Sequence, residues 1–168
     1  MGRQRLSREP LLRWSILQHY EVCPTPLLDV THSLRIAASF ASLAEGSEAF
    51  LYVLGVPNLS GAITANTESG LQIVRLASVC PTAAIRPHIQ EGYLLGEYPD
   101  MASAEQSALY RPHELDLGRR VIGKFRFDPK GFWDDQIFPR VSDAALYPRG
   151  KDWLESLTAE ITDGLRSA

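Results

Sequence analysis

Residues 49–56, Ala-Phe-Leu-Tyr-Val-Leu-Gly-Val, form the clearest strand in the chain and stop at Pro57. Aromatic and branched residues without polar alternation describe a strand buried on both faces, and proline cannot extend its ladder. The run therefore predicts the central strand of a sheet. Just before it, Ser33–Glu45 places Leu34, Ala37, Ala38 and Ala41 on one helical stripe, with Ile36, Phe40 and Leu43 beside it. Small residues admit a close neighbour, so this helix is expected to pack beside the strand. Thr31 or Ser33 supplies its N-cap and Gly46 marks its end.

The remaining segments fill in around this pair. A first helix is predicted over Arg8–Tyr20, with Ser7 as its N-cap and Glu9 and Pro10 in its first turn. Pro24 and Pro26 force residues 21–27 into an extended, turning loop. Residues 58–70 are rich in Ser, Asn, Thr and Gly and read as a loop, and Leu71–Ala77 suits a helix or a strand. Ala83–Ile89 and Gly92–Glu97 are expected as short strands around a Gln90-Glu91-Gly92 turn, and Ala102–Tyr110 as a weak helix. Arg120–Phe127 sets Val121, Gly123, Phe125 and Phe127 against Ile122, Lys124 and Arg126, the pattern of a half-buried strand. Gly131–Ile137 and Asp152–Gly164 read as closing helices. The order describes an α+β fold, a small mixed or split β-sheet with flanking helices, in one domain.

Composition narrows the function classes. Lys+Arg number 17 against 20 Asp+Glu, a net charge of −3, so no basic footprint indicates nucleic acid. No apolar run approaches the ~18 residues a membrane span needs. The N-terminus carries Arg3, Arg5, Arg8 and Arg13 without the uninterrupted apolar stretch of a secretory signal. Cys23 and Cys80 each precede a proline on separate turns, which predicts free thiols and a cytoplasmic setting. Two distant cysteines and scattered histidines do not supply the about four organised ligands of a zinc site, so no metal is expected.

Phosphate-cradling, nucleophile-elbow and metalloprotease signatures are absent. Two constellations carry chemistry instead. In Gln18–Thr31, QHYEVCPTPLLDVT, the polar groups of Gln18, His19, Thr25, Asp29 and Thr31 accompany the apolar anchors Leu27 and Leu28. The strip reads either as part of a site or as structure, with Asp29 or Thr31 capping the next helix and His19 in the core. Of these, Asp29 is expected to serve the backbone of its own turn. In Arg86–Tyr93, RPHIQEGY, Arg, His, Gln and Glu crowd beside a glycine that permits close backbone approach, or simply form a solvated turn. If the domain carries a ligand site, His19 and Gln90 should line the same pocket. Phe138-Pro139 reads as an aromatic–proline anchor for a chain reversal.

The first strip resembles the Gln-His-Tyr-Gly-x-Pro-Thr-Arg-Leu-Leu-Asp-Trp-Thr stretch of the FRG-domain family. Ala37 with Phe40-Ala41, Tyr52-Val53-Leu54, Arg86 with Gln90-x-Gly92, and Phe138-Pro139 are similar to later elements of that family, in order, across residues 15–155. Glu21, Pro26, Val30 and Arg140 stand where the family has Gly, Arg, Trp and an acidic residue. The Phe-Arg-Gly tripeptide has no counterpart before Gln18, so the chain is read as an N-terminally incomplete or degenerate member. The family is a bacterial and phage domain of uncharacterised function, with a motif order like that of ADP-ribosyltransferases. The resemblance thus implies a nucleotide ligand, NAD first, held by Gln18, His19, Tyr20, Thr25 and Gln90. Glu91 would be the catalytic carboxylate facing the oxocarbenium-like transition state of nicotinamide–ribose cleavage. The alternative is a non-catalytic ligand- or partner-binding module of the same family, and a third reading is a structural remnant.

Overall fold

The computed structural model describes residues 2–44, 46–66, 68–97 and 117–166. In chain order the elements are α1 (Gly2–Arg8), α2 (Pro10–His19), β1 (Leu28–Thr31), α3 (Leu34–Ala41), β2 (Ala49–Leu54), β3 (Ile63–Asn66), β4 (Leu71–Arg75), α4 (Leu76–Val79), α5 (Ile85–Ile89), β5 (Gly92–Glu97), β6 (Val121–Phe127), α6 (Asp143–Leu146) and α7 (Trp153–Arg166). The fold is α+β, with a four-stranded antiparallel sheet in the order β1-β5-β4-β3 and a separate two-stranded ribbon of β2 and β6.

Strand alternation gives the main sheet two faces. Val74 and Leu94 point to one face, where Leu11 and Leu12 of α2, Leu76 and Leu154 close over them. Leu71, Ile73, Tyr93 and Leu95 point to the other and pack with Leu28, Val30 and Leu54. Each such side chain removed from water contributes roughly 1.5–3 kcal/mol. The second face is the one turned toward the ribbon.

Run 49–56 is a strand but not a central one. Among the described residues it pairs only with β6, from Ala49↔Phe127 to Leu54↔Val121, with an irregularity at Val53/Leu54. Tyr52 is 57% exposed and Phe50 43%, so the expectation of burial on both faces is overturned. The physical reason is that these side chains line a cavity, where an apolar run serves as a wall. β6 likewise exposes Val121, Ile122 and Phe125 and lacks the expected half-burial. A lone two-stranded ribbon is marginal. This one leans on α3, which packs against β1 and β2, and on a cluster in which Phe132 contacts Phe127, Trp133 and Phe138.

Other segments depart from the sequence reading for local reasons. Ser7 lies inside α1 and its hydroxyl donates to the Gln4 carbonyl, while α2 starts at Pro10 behind Glu9 without a side-chain cap. The Ser33 cap is present, its Oγ accepting from the Ile36 N–H, but α3 ends at Ala41, short of Gly46. Within residues 58–70, Ile63–Asn66 forms β3 against β4, closed by a turn in which the Asn66 side chain accepts from the Ser69 N–H and Gly70 takes φ +60°. Ile85–Ile89 is the helix α5 rather than a strand. Its Pro87 sits in the first turn, where a missing N–H leaves nothing unsatisfied. Gly131–Ile137 is a turn, because the Asp134 carboxylate accepts from the backbone N–H groups of Gln136 and Ile137 and the chain reverses through an Asp134–Phe138 bridge. Ala102–Tyr110 lies outside the described residues. Cys23 is half-buried, Cys80 is buried, and both are free thiols.

One buried acid joins the ends of three helices. Asp152, 1% exposed, accepts through Oδ1 from the N–H groups of Leu154 and Glu155 and so caps α7. Its Oδ2 accepts from the Tyr20 hydroxyl at 2.8 Å and from the Arg86 backbone N–H at 2.8 Å. Replacing Asp152 by Ala strands these buried donors, and should cost roughly 3–5 kcal/mol in urea denaturation. An unchanged midpoint would remove Asp152 from its central place.

The same neighbourhood sets the alkaline limit. Burial, reinforced by the Asp152 charge, pushes the Cys80 thiol up from its ordinary 9.0 to about 12. Burial and the bond to Asp152 also raise the Tyr20 hydroxyl. Both groups keep their protons when folded at a pH where the unfolded chain has lost them, so the Cys80 contribution is full below 9.0 and lost toward about 12, and that of Tyr20 is full below 10.0 and lost progressively above it. Melting temperature should therefore fall across that window, and Cys80→Ala should flatten part of the slope.

Candidate functional site

Between the main sheet and the ribbon lies a cavity of about 870 Å³, within the usual size range of small-molecule sites. Its polar lining comes from the ends of short elements: Gln18, His19, Glu21, Asp29, Arg86 and Gln90. Its apolar lining comes chiefly from Phe40 of α3 and from Phe50, Tyr52 and Val53 of β2. The Lys124 ammonium stands 4.7 Å from the Phe50 ring centre and 5.2 Å from that of Tyr52.

His19 ends α2 and is 3% exposed. Its Nδ1 lies 3.1 Å from Oδ1 of Asp29 on β1. A carboxylate only accepts, so Nδ1 carries a proton, and in the neutral ring Nε2 is then the acceptor. That Nε2 is buried and has no hydrogen-bond partner among the described residues. Tyr20 meets the imidazole edge-on at 5.6 Å, and a Cβ on Gly92 would come within 3.2 Å of His19 Cε1 and 3.1 Å of Leu76 Cδ1. The glycine is therefore a space requirement that fixes the ring. Asp29 does not serve its own turn as expected. Thr31 Oγ1 accepts from the Ser33 N–H instead, and β1 turns Asp29 toward His19.

His19 and Gln90 line the same cavity, together with Gln18. Gln90 caps α5 and donates through Nε2 to the Leu146 carbonyl at 2.8 Å. Gln18 Oε1 accepts from the Thr25 N–H, and Thr25 Oγ1 accepts from the Leu27 N–H, so this pair shapes the 20–27 loop. Tyr20 and Thr25 are buried outside the lining and act on it indirectly. Glu91, at φ +48°, also lies outside the lining and binds His32 Nε2 at 2.7 Å; His32 itself lines the cavity.

The set of site residues read from the sequence omitted Arg86, Glu21 and the β2 wall. Arg86 is 6% exposed, its Nη2 donates to Glu21 Oε1 at 2.6 Å, and its guanidinium lies over the Tyr147 ring at 4.7 Å. Its spacing of four from Gln90 on a helix was the available signal. Nothing local announces the Glu21–Arg86 and Tyr20–Asp152 bonds, which span 65 and 132 positions; only the Asp152 cap of α7 is local.

Among the described residues, no group of three or more His, Cys, Asp and Glu side chains is placed to hold a metal, and no helix is long and apolar enough to cross a membrane. No protein-family model, curated protein or solved structure matches the chain.

Gly92→Ala tests the packing of the imidazole. With Leu76 and His19 both buried, the added methyl should cost about 1–2 kcal/mol by overpacking, read in chemical denaturation. Unchanged stability and unchanged His19 NMR shifts would show that the ring has room to move.

Proposed function

We propose that this chain is an FRG-domain-like module that binds a nucleotide, NAD first, in the cavity between its sheets. The carrying observation is His19, a residue of the cavity lining whose buried Nε2 has no partner among the described residues; with Nδ1 bound to Asp29, the neutral ring offers Nε2 as an acceptor. A ribose hydroxyl is a donor that suits it. Phe50 and Tyr52 give the lining an aromatic surface beside which a planar ring can pack, and Lys124, held over both rings, adds a cation. The family reading gains from two placements. Residues quoted for the resemblance from separate motifs, Gln18, His19, Asp29, Arg86 and Gln90, line one cavity. Glu21, where the family has glycine, takes φ +58°, the backbone region glycine favours. A cytoplasmic setting accords with two free thiols.

Binding without catalysis comes first because Glu91 lies outside the lining. An ADP-ribosyltransferase-like activity is the second reading, favoured by one contact: the Glu91 carboxylate is held 2.7 Å from His32 at the cavity wall.

Thermal shift and calorimetry with NAD, ADP-ribose, AMP and nicotinamide test the proposal. At a hundredfold excess over Kd, NAD should stabilise the fold by about 2.7 kcal/mol, a rise of roughly 5–10 °C. His19→Phe, which keeps the ring and removes the acceptor, should weaken binding by roughly tenfold to a hundredfold. No shift with any nucleotide would discard the proposal. Nicotinamide release that vanishes in Glu91→Gln would promote the enzymatic reading.

A further inference from the structure

The Arg86–Glu21 pair is strongly asymmetric in burial. The arginine side chain is 8% exposed and the glutamate side chain 65%. Arg86 is fixed on every side. Its backbone N–H is held by Asp152, and its guanidinium carbon lies 5.5 Å from the Tyr20 ring centre and 4.7 Å from that of Tyr147. Its Nε is buried without a partner among the described residues, although the side chain lines the cavity. Glu21 reaches the same guanidinium from a surface loop, through Nη2 alone, on a backbone at φ +58° that disfavours any residue but glycine.

A buried guanidinium needs an anion, and its planar fork matches an oxyanion through two parallel bonds. Glu21 supplies the charge and leaves part of the fork unused. We infer that Arg86 is an oxyanion-binding site at the cavity wall and that the Glu21 carboxylate is its built-in occupant, displaced by a phosphate- or carboxylate-bearing ligand. The displaced carboxylate returns to water, where it is already largely exposed, while the ligand meets a cation that needs no rearrangement. The other carboxylate in the lining, Asp29, already accepts from His19 and does not compete for Arg86. The inference rests on the cavity being a ligand site, and in the nucleotide reading the displacing group is the diphosphate.

Glu21→Gly removes the occupant and supplies the residue the backbone conformation favours, so the variant should fold. Inorganic phosphate, and acetate as the planar carboxylate probe, are titrated against chloride at matched ionic strength while melting temperature is followed. Phosphate or acetate should stabilise Glu21→Gly saturably, by several degrees, and wild type far less; the more effective of the two identifies the oxyanion geometry. Glu21→Gln, which keeps the volume and loses the charge, should behave alike, and adding Arg86→Gln to either should abolish the response. NAD should bind Glu21→Gly about tenfold more tightly than wild type. No anion-specific stabilisation in either single variant overturns the inference. If NAD binds wild type and Glu21→Gly equally, the displacement falls and the nucleotide reading stands. If the anions rescue Glu21→Gly while no nucleotide binds either protein, the oxyanion site stands and the nucleotide reading falls.

Discussion

The carboxylate of Asp152 holds the site's two halves in register. One oxygen caps α7; the other accepts from Tyr20, at the end of α2, and from the Arg86 backbone, at the start of α5. Charge-assisted bonds of this kind contribute roughly 1.5–3 kcal/mol each, against a desolvation cost of several kcal/mol for burying the ion. The net gain is smaller than the sum, but the geometric consequence is large. Tyr20 packs edge-on against His19, and Arg86 begins the helix that Gln90 ends. Asp152 therefore helps position two polar constellations about 70 positions apart in sequence, and the Glu21–Arg86 bond joins them directly.

The division into two sheets follows from how the apolar residues are spent. The main sheet covers one face with α2 and α7 and leaves the other partly open. The ribbon of β2 and β6 is too small to build a core of its own and rests on α3 and the Phe132 cluster. Phe50, Tyr52 and Val53 are left facing the gap. An exposed apolar wall of this kind is a standing cost in water unless something covers it, and grooves of this composition mark binding surfaces. In the same way, α7 buries Leu154 and Thr158 and exposes Trp153, Leu157, Ile161 and Leu165 along one stripe.

Local rules reached the parts of this fold that local physics decides. The Ser33 cap, the strand 92–97, the closing helix and the α+β class follow from capping, periodicity and turn chemistry. The shared cavity of His19 and Gln90 was anticipated from convergent polar groups. What escaped was set at a distance. The apolar run 49–56 has the composition of a buried strand, and only its single partner shows that it is a wall. Asp29 precedes a helix as a cap would, yet the register of β1 on β5 turns it to His19. A short β3 hid in a Thr- and Asn-rich loop because four residues carry little periodicity. Pro87 argued against a central strand at 83–89 and was the signal for α5.

The charges in the cavity bear on whether it holds a ligand or transforms one. An oxocarbenium-like transition state gains from a carboxylate facing the developing positive charge. Both carboxylates in the lining are already engaged, Glu21 with Arg86 and Asp29 with His19. Asp29 acts through the imidazole, where its charge makes Nε2 a better acceptor, and an acceptor orients a hydroxyl in ground state and transition state alike. Glu91 has the required charge, but its bond to His32 directs it to the rim. Moving it inward would break that bond and shift a backbone already at φ +48°. In the proposed reading the arrangement holds a polar ligand, and catalysis would require Glu91 to leave His32 as the ligand enters.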